Sequence, residues 1–122
     1  MSKIAVGGVR RRVVVVGAGS GIGAAVAKHF HGRGDHVLAV DLREQSTPAS
    51  EHRRCDLRDA ADIDALLADI GPGWDMLAHV AGIPGTAPAA DVLNVNYLGM
   101  RLMVEGMLPL LREGGSIVTV AS

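Results

Sequence analysis

Four glycines fall within seven residues at Gly17-Ala18-Gly19-Ser20-Gly21-Ile22-Gly23, directly between an apolar run and a helical pattern. Glycine tolerates positive φ and leaves no side chain between the backbone and a ligand. At the start of a helix, unpaired N–H groups and the helix dipole together favour an anion. A glycine-rich turn at that junction therefore suits a diphosphate. Asp41 closes the next apolar run, near the ~20-residue interval at which a carboxylate meets the adenosine ribose of a dinucleotide. Such a carboxylate accepts hydrogen bonds from the ribose hydroxyls and repels a 2′-phosphate. That selects NAD over NADP, tempered by the guanidinium of Arg43 two residues on.

These groups need a scaffold, and the residue pattern supplies alternating strands and helices. Val13–Val16 is a β-branched run, apolar on both faces, which suits a strand buried between helical layers. Residues 21–31 place Ile22, Ala25, Val26, His29 and Phe30 at helical spacing, and Gly32 and Gly34 end the pattern. His36–Val40 reads as a second strand, 43–51 as a loop, and His52–Asp56 as a third strand. Asp59 is placed to cap a helix in which Ile63, Leu66, Leu67 and Ile70 recur with the helical period. Gly71-Pro72-Gly73 stops it. Met76–Ala81 reads as a fourth strand, Val92–Leu111 as a long helix bent near Pro109, and Ser116–Val120 as a fifth strand. The alternation predicts an α/β fold: a Rossmann-type doubly wound parallel sheet with strand order 3-2-1-4-5, its ligand crevice between strands 1 and 4.

Composition narrows the function classes. The chain has 122 residues, 48% hydrophobic and 20% charged, the balance of one soluble globular domain. Twelve Lys and Arg against 13 Asp and Glu give a net charge of −1, which argues against a nucleic-acid partner. The basic run Arg10-Arg11-Arg12 reads as a solvated lead-in to the first strand. Cys55 is the sole cysteine, so no internal disulfide is available, and no histidine spacing suggests a metal. No apolar stretch approaches the ~20 residues that cross a bilayer, and residues 1–12 lack the apolar core of a signal peptide. The expected location is cytoplasmic.

Further segments carry a resemblance. Gly17, Gly21 and Gly23 match a G-x-x-x-G-x-G turn, and Asp56-Leu57 follows the third strand. His79-Val80-Ala81-Gly82 stands where N-N-A-G is usual. Asn94-Val95-Asn96-Tyr97-Leu98-Gly99 lies in the long helix, and Gly114–Ser122 ends on Val-Ala-Ser. Taken in order and spacing over nearly the whole chain, these segments resemble the short-chain dehydrogenase/reductase family. The short connection Ile83–Pro88 looks most like its coniferyl-alcohol dehydrogenase branch and is also similar to bacterial 3α-hydroxysteroid dehydrogenases.

The resemblance implies hydride transfer between NAD and a small alcohol or carbonyl substrate. It implies that the cofactor is held by Gly17, Gly19, Ser20, Gly21, Ile22, Gly23, Asp41, Asp56, Leu57, Ala81 and Gly82, with Asp56 meeting the adenine amino group. It assigns Asn96 and Ser122 to catalysis and no residue to a metal, and it implies a homo-oligomer formed through the long helix. Val16 stands in place of the Thr that commonly ties down the glycine turn, and His79 and Val80 replace two Asn. The family's Tyr-x-x-x-Lys pair is absent from these 122 residues. The fourth residue after Tyr97 is Arg101, which differs from Lys in geometry and hydration, and Tyr97 reads as helix packing. The whole of 1–122 is therefore expected to be an NAD-binding Rossmann domain, the N-terminal portion of a longer family fold cut after the fifth strand and inactive alone. A non-catalytic NAD-binding module is the alternative.

Overall fold

The computed structural model describes residues 10–83 and 85–120. Five strands form one parallel sheet in the order β3-β2-β1-β4-β5. They are β1 (Arg12–Val16), β2 (His36–Asp41), β3 (Glu51–Arg54), β4 (Trp74–His79) and β5 (Leu111–Thr119). The helices are α1 (Gly21–Gly32), α2 (Ala60–Ile70), α3 (Ala89–Leu93) and α4 (Met100–Met107), with a π-helical segment, Asn94–Gly99, joining the last two. The predicted topology is the observed one.

Burial explains why β1 and β2 could be read so directly. Alternate residues of a strand face opposite ways, and in these strands both ways are core. Val14, Val16, Leu38, Val40 and Leu77 pack with Ile63 and Leu66 of α2 and Met103 and Met107 of α4. Val13, Val15, Val37, Ala39 and Ala78 form the opposite layer, which Ala27, Val26 and Phe30 of α1 cover. Asp59 caps α2 as expected, its side chain accepting from Ala61 N at 3.0 Å.

The buried face of one helix and the starts of three strands differ from the residue pattern. The face that α1 buries runs through Gly23, Val26, Ala27 and Phe30, whereas Ile22 is 59% exposed and Ala25 and His29 face solvent. Ile22 is turned toward a cleft instead of the sheet. Strand β3 starts at Glu51 and is largely exposed, because it lies at the sheet edge and is held by its ladder to Leu38–Asp41. Strand β4 starts at Trp74, whose indole is buried, donates to Gly71 O at 2.9 Å and carries the Arg12 guanidinium 4.1 Å above its ring. Strand β5 begins at Leu111: its register slips between Trp74 and Met76, and the slack is taken up around Gly114, which has φ +80°.

The long helix also departs from expectation. It starts at Ala89, behind Pro88, and Pro109 sits in a closing 3-10 turn instead of bending an α-helix. Val95, Gly99, Met103 and Met107 are its buried stripe. Gly99 explains the close fit, since a Cβ there would stand 2.6 Å from Leu57 O. Tyr97, expected to pack, is 51% exposed because it lies off that stripe. Among the described residues no helix is long and apolar enough to cross a membrane.

His79 ends β4 on the same side as Leu77, at 1% exposure. Burial pushes its imidazole from the ordinary 6.5 down to about 4, so the folded ring is neutral at pH 7. The unfolded chain protonates first as pH falls. Stability is therefore intact above pH 6.5 and lost progressively toward pH 4, by about 3 kcal/mol at about 1.4 kcal/mol per unit. Urea midpoints at pH 7 and pH 4.5 should show this loss in the wild type and a smaller one in His79→Leu. Parallel pH profiles for the two would contradict it.

Candidate functional site

A cleft of about 480 Å³ opens at the C-terminal ends of the strands, where the sheet order reverses between β1 and β4. Its size and position are those of a ligand site in an open α/β sheet. The turn after β1 forms its floor. Gly17 N and Ala18 N both donate to Val40 O, at 2.8 and 3.1 Å, while Val80 N and Ala81 N donate to Val16 O at 2.8 and 3.1 Å. The turn is thus held between the ends of β2 and β4.

Glycine is required there by contact as well as by dihedral. Gly17 has φ +87°, and a Cβ on it would lie 2.6 Å from Ala81 N. A Cβ on Gly23 would lie 1.8 Å from Gly17 O. The missing Thr at position 16 is compensated from elsewhere: Thr47 Oγ1 donates to Ala18 O at 2.8 Å. Nothing in the local pattern of residues 43–51 signalled that tether.

Helix α1 points its N-terminus into this cleft. Ser20 is the N-cap residue, but its hydroxyl makes no cap hydrogen bond, and the first turn carries no acidic side chain. By contrast, α2 and α3 each carry an aspartate in their first turn. Only α1 of these three leaves its positive end uncompensated. Ser20, Ile22 and Gly23 all line the cleft.

Asp41 stands at the lip. Its Oδ2 accepts from Gly19 N at 2.9 Å and its Oδ1 from Arg43 N at 3.1 Å. The carboxylate therefore closes the turn and the start of the next loop around itself. Gly19 and Gly21 are not among the lining residues: Gly19 spends its N–H on Asp41, and Gly21, with φ +57°, starts α1 with open space around it.

The loop after β3 supplies the next wall. Asp56 and Leu57, to which the resemblance pointed, line the cleft together with Cys55 and Arg58. Arg58 takes the Asp56 carboxylate in a two-pronged grip, and this hydrogen bonding holds the Asp56 pKa below its ordinary value. Burial, followed by the nearby Asp62 and Asp56, raises the Cys55 thiol to about 11, so it stays protonated and unreactive. Arg58 was missed because it sits among charged residues with no periodic signal. Its two-residue spacing from Asp56 was the available clue.

Beyond β4, Ala81 and Gly82 line the cleft with Val80 and Ile83. Asn96, in the π-helical segment, reaches that connection: its Oδ1 accepts from Ile83 N at 2.8 Å and its Nδ2 donates to Ile83 O at 2.9 Å. Its side chain is thereby committed to holding backbone. Ser122 lies outside the described residues. Tyr97 and Arg101 form no substitute for a Tyr-Lys pair, since Tyr97 is exposed and Arg101 pairs with Glu105 at 2.8 Å. Among the described residues no cluster of metal-ligating side chains occurs.

Comparison with known proteins agrees with this geometry. The family model described as short chain dehydrogenase matches residues 11–122. Coniferyl-alcohol dehydrogenase of Pseudomonas sp. is 38% identical over 92% of this chain and 44% of its own length. The 3-alpha-hydroxysteroid dehydrogenase/carbonyl reductase of Comamonas testosteroni is 31% identical over 84% of the chain and 39% of its own. The chain thus spans less than half the length of these two relatives. Among solved structures, a short-chain dehydrogenase/reductase from Burkholderia multivorans with bound NADP superposes with a TM-score of 0.80 at 24% identity, covering 93% of this chain and 59% of that one. Uronate dehydrogenase from Agrobacterium tumefaciens, as a Y136A mutant complexed with NAD, gives 0.71 at 24% identity, covering 93% and 42%. With the family model matching residues 11–122, the chain belongs to the short chain dehydrogenase family.

Proposed function

We propose that this chain is the nucleotide-binding part of an NAD-dependent oxidoreductase that moves a hydride between the nicotinamide and a small alcohol or carbonyl substrate. One observation carries the reading. A cradle that any Cβ would fill, at Gly17 and Gly23, lies beside an acid-free helix N-terminus, with a carboxylate next to it. The cradle and the amides of α1 would take the diphosphate, and Ser20 Oγ, which makes no cap hydrogen bond, could donate to it. Asp41 would meet the ribose hydroxyls, and its charge supports NAD; the neighbours hold NADP in one case and NAD in another. The nicotinamide supplies the hydride chemistry when bound.

The remaining roles rest on the family pattern. Ser122 would hydrogen-bond the substrate oxygen, and Asn96, whose amide also holds the Ile83 backbone, would hold a water in the proton relay. The acid/base Tyr and its Lys are not present in these 122 residues, so the chain alone should bind without turning over. Leu93, Leu98, Leu102 and Leu108 are exposed along the last helices, and this apolar exposure supports a homo-oligomer. A cytoplasmic location fits the single thiol.

Calorimetric titration with NAD and NADP tests the reading. NAD should bind, with NADP weaker by about tenfold. Failure of the folded chain to bind either dinucleotide would dismiss it. Adding a C-terminal segment that carries Tyr-x-x-x-Lys should restore turnover; binding with no turnover even then would favour the non-catalytic module.

A further inference from the structure

In the cleft wall after β3, Asp56 is held by a neighbour, Arg58, to which the dinucleotide reading gives no role. Asp56 Oδ1 accepts twice from Arg58, from its backbone N and its Nε, each at 3.0 Å. Asp56 Oδ2 accepts once, from Arg58 Nη2 at 3.0 Å. Each oxygen of an ionised carboxylate offers two lone-pair positions. Oδ1 is therefore filled, and one position remains on Oδ2. The backbone beneath is fixed as well, since Asp56 N donates to Asp62 Oδ2 at 2.8 Å and Asp59 N to Asp56 O at 3.0 Å. The far side of the guanidinium faces α3, with Nη1 4.0 Å from Asp91 Oδ2. Asp56, Arg58 and Asp91 all line the cleft, so this charged bridge joins two of its walls.

We propose that Arg58 is a positioning residue for purine selection: it orients Asp56 so that a single acceptor position faces the base, admitting a 6-amino purine and rejecting a 6-oxo purine. The inference rests on the dinucleotide reading above and deepens it. With the diphosphate on the β1 turn and the ribose at Asp41 on β2, the base falls over the end of β3, the next strand outward. There the cleft offers Val40, Leu57, Ile83 and Val95 as an apolar bed for a flat ring, with Asp56 as the acceptor among them. An adenine amino group donates to the free Oδ2 position. A hypoxanthine 6-oxo group would set its own lone pairs against that oxygen, an unpaired acceptor pair in a partly desolvated place. Without the fork, Asp56 is free to rotate and to meet either edge through water, so the discrimination disappears.

ADP and IDP probe the adenosine end alone and differ at the 6-position. Titration of the wild-type chain should favour ADP by about tenfold. Arg58 is on the surface, so Arg58→Met and Arg58→Lys should fold, with thermal midpoints close to wild type. Arg58→Met should bring the ADP-to-IDP ratio within about threefold of unity. Arg58→Lys keeps the charge but not the planar fork, and should also lose most of the ratio. An unchanged ratio in Arg58→Met, with both ligands weakened equally, would show a merely structural role and overturn the proposal. Equal binding of ADP and IDP by the wild type would overturn it while leaving the dinucleotide reading standing. Binding of neither, nor of NAD, would remove both.

Discussion

Gly23→Ala should lose NAD binding by about a hundredfold or more, together with about 3 kcal/mol of stability. The added Cβ would lie 1.8 Å from Gly17 O, 2.6 Å from Gly17 C and 3.2 Å from Ala18 N. All three are backbone atoms, so no rotamer change relieves the clash. Gly17 has nowhere to retreat, because its own Cα side faces Ala81 N and Cα. Either α1 lifts from the sheet or the turn opens, and both moves displace the amides proposed to hold the diphosphate. Gly21→Ala is the matched control: its φ of +57° imposes strain of about 1–2 kcal/mol, but a Cβ meets nothing within 4 Å. It should keep NAD binding within about tenfold. Calorimetric titration and urea unfolding of the two variants separate the effects. Wild-type NAD affinity in Gly23→Ala would mean that the turn is not the cradle.

Asp41→Ala should weaken NAD by about 10- to 100-fold and invert the preference toward NADP. The carboxylate does three things in this geometry. It ties Gly19 N, it ties Arg43 N, and on the proposed reading it sets negative charge against a 2′-phosphate. Removing it frees the turn and leaves Arg43, two residues on, among the charged residues that line the cleft. Added salt should erode the new NADP affinity more than the wild-type NAD affinity, because an exposed ionic contact is screened. Asp41→Asn should fall between the two, since its Oδ1 still accepts from one amide but its NH2 cannot accept from the other or from ribose. An NAD-to-NADP ratio unmoved by either substitution would place the ribose elsewhere.

The centre of the sheet was readable because both faces of β1 and β2 are core, so the valines of 13–16 and the apolar run from Val37 to Val40 leave no alternative to a buried strand. The glycine turn was readable for a related reason, since its residue types answer to backbone dihedrals and contacts within a few positions. What the pattern obscured depends on distant partners. Strand β3 is polar and owes its existence to a ladder with β2. The β5 start at Leu111 follows from pairing with Trp74 across the sheet, and the glycines at 114 and 115 read as a break although they only absorb a slipped register. Thr47 and Arg58 belong to segments without periodicity, so their hydrogen bonds to Ala18 and Asp56 become visible only in three dimensions. The outward placement of Tyr97 follows from which stripe of the helix Gly99 allows against Leu57.

The π-helical segment at Asn94–Gly99 amounts to one surplus residue slipped into an otherwise regular helix. Deleting a residue there would let the turn close as ordinary α-helix while Met103 and Met107 keep their bearing on the sheet. A deletion anywhere in α4 would instead rotate those side chains by about 100° and strip the core. The helix therefore has one place where length variation is tolerated, and it coincides with the residue that grips the rim of the cleft.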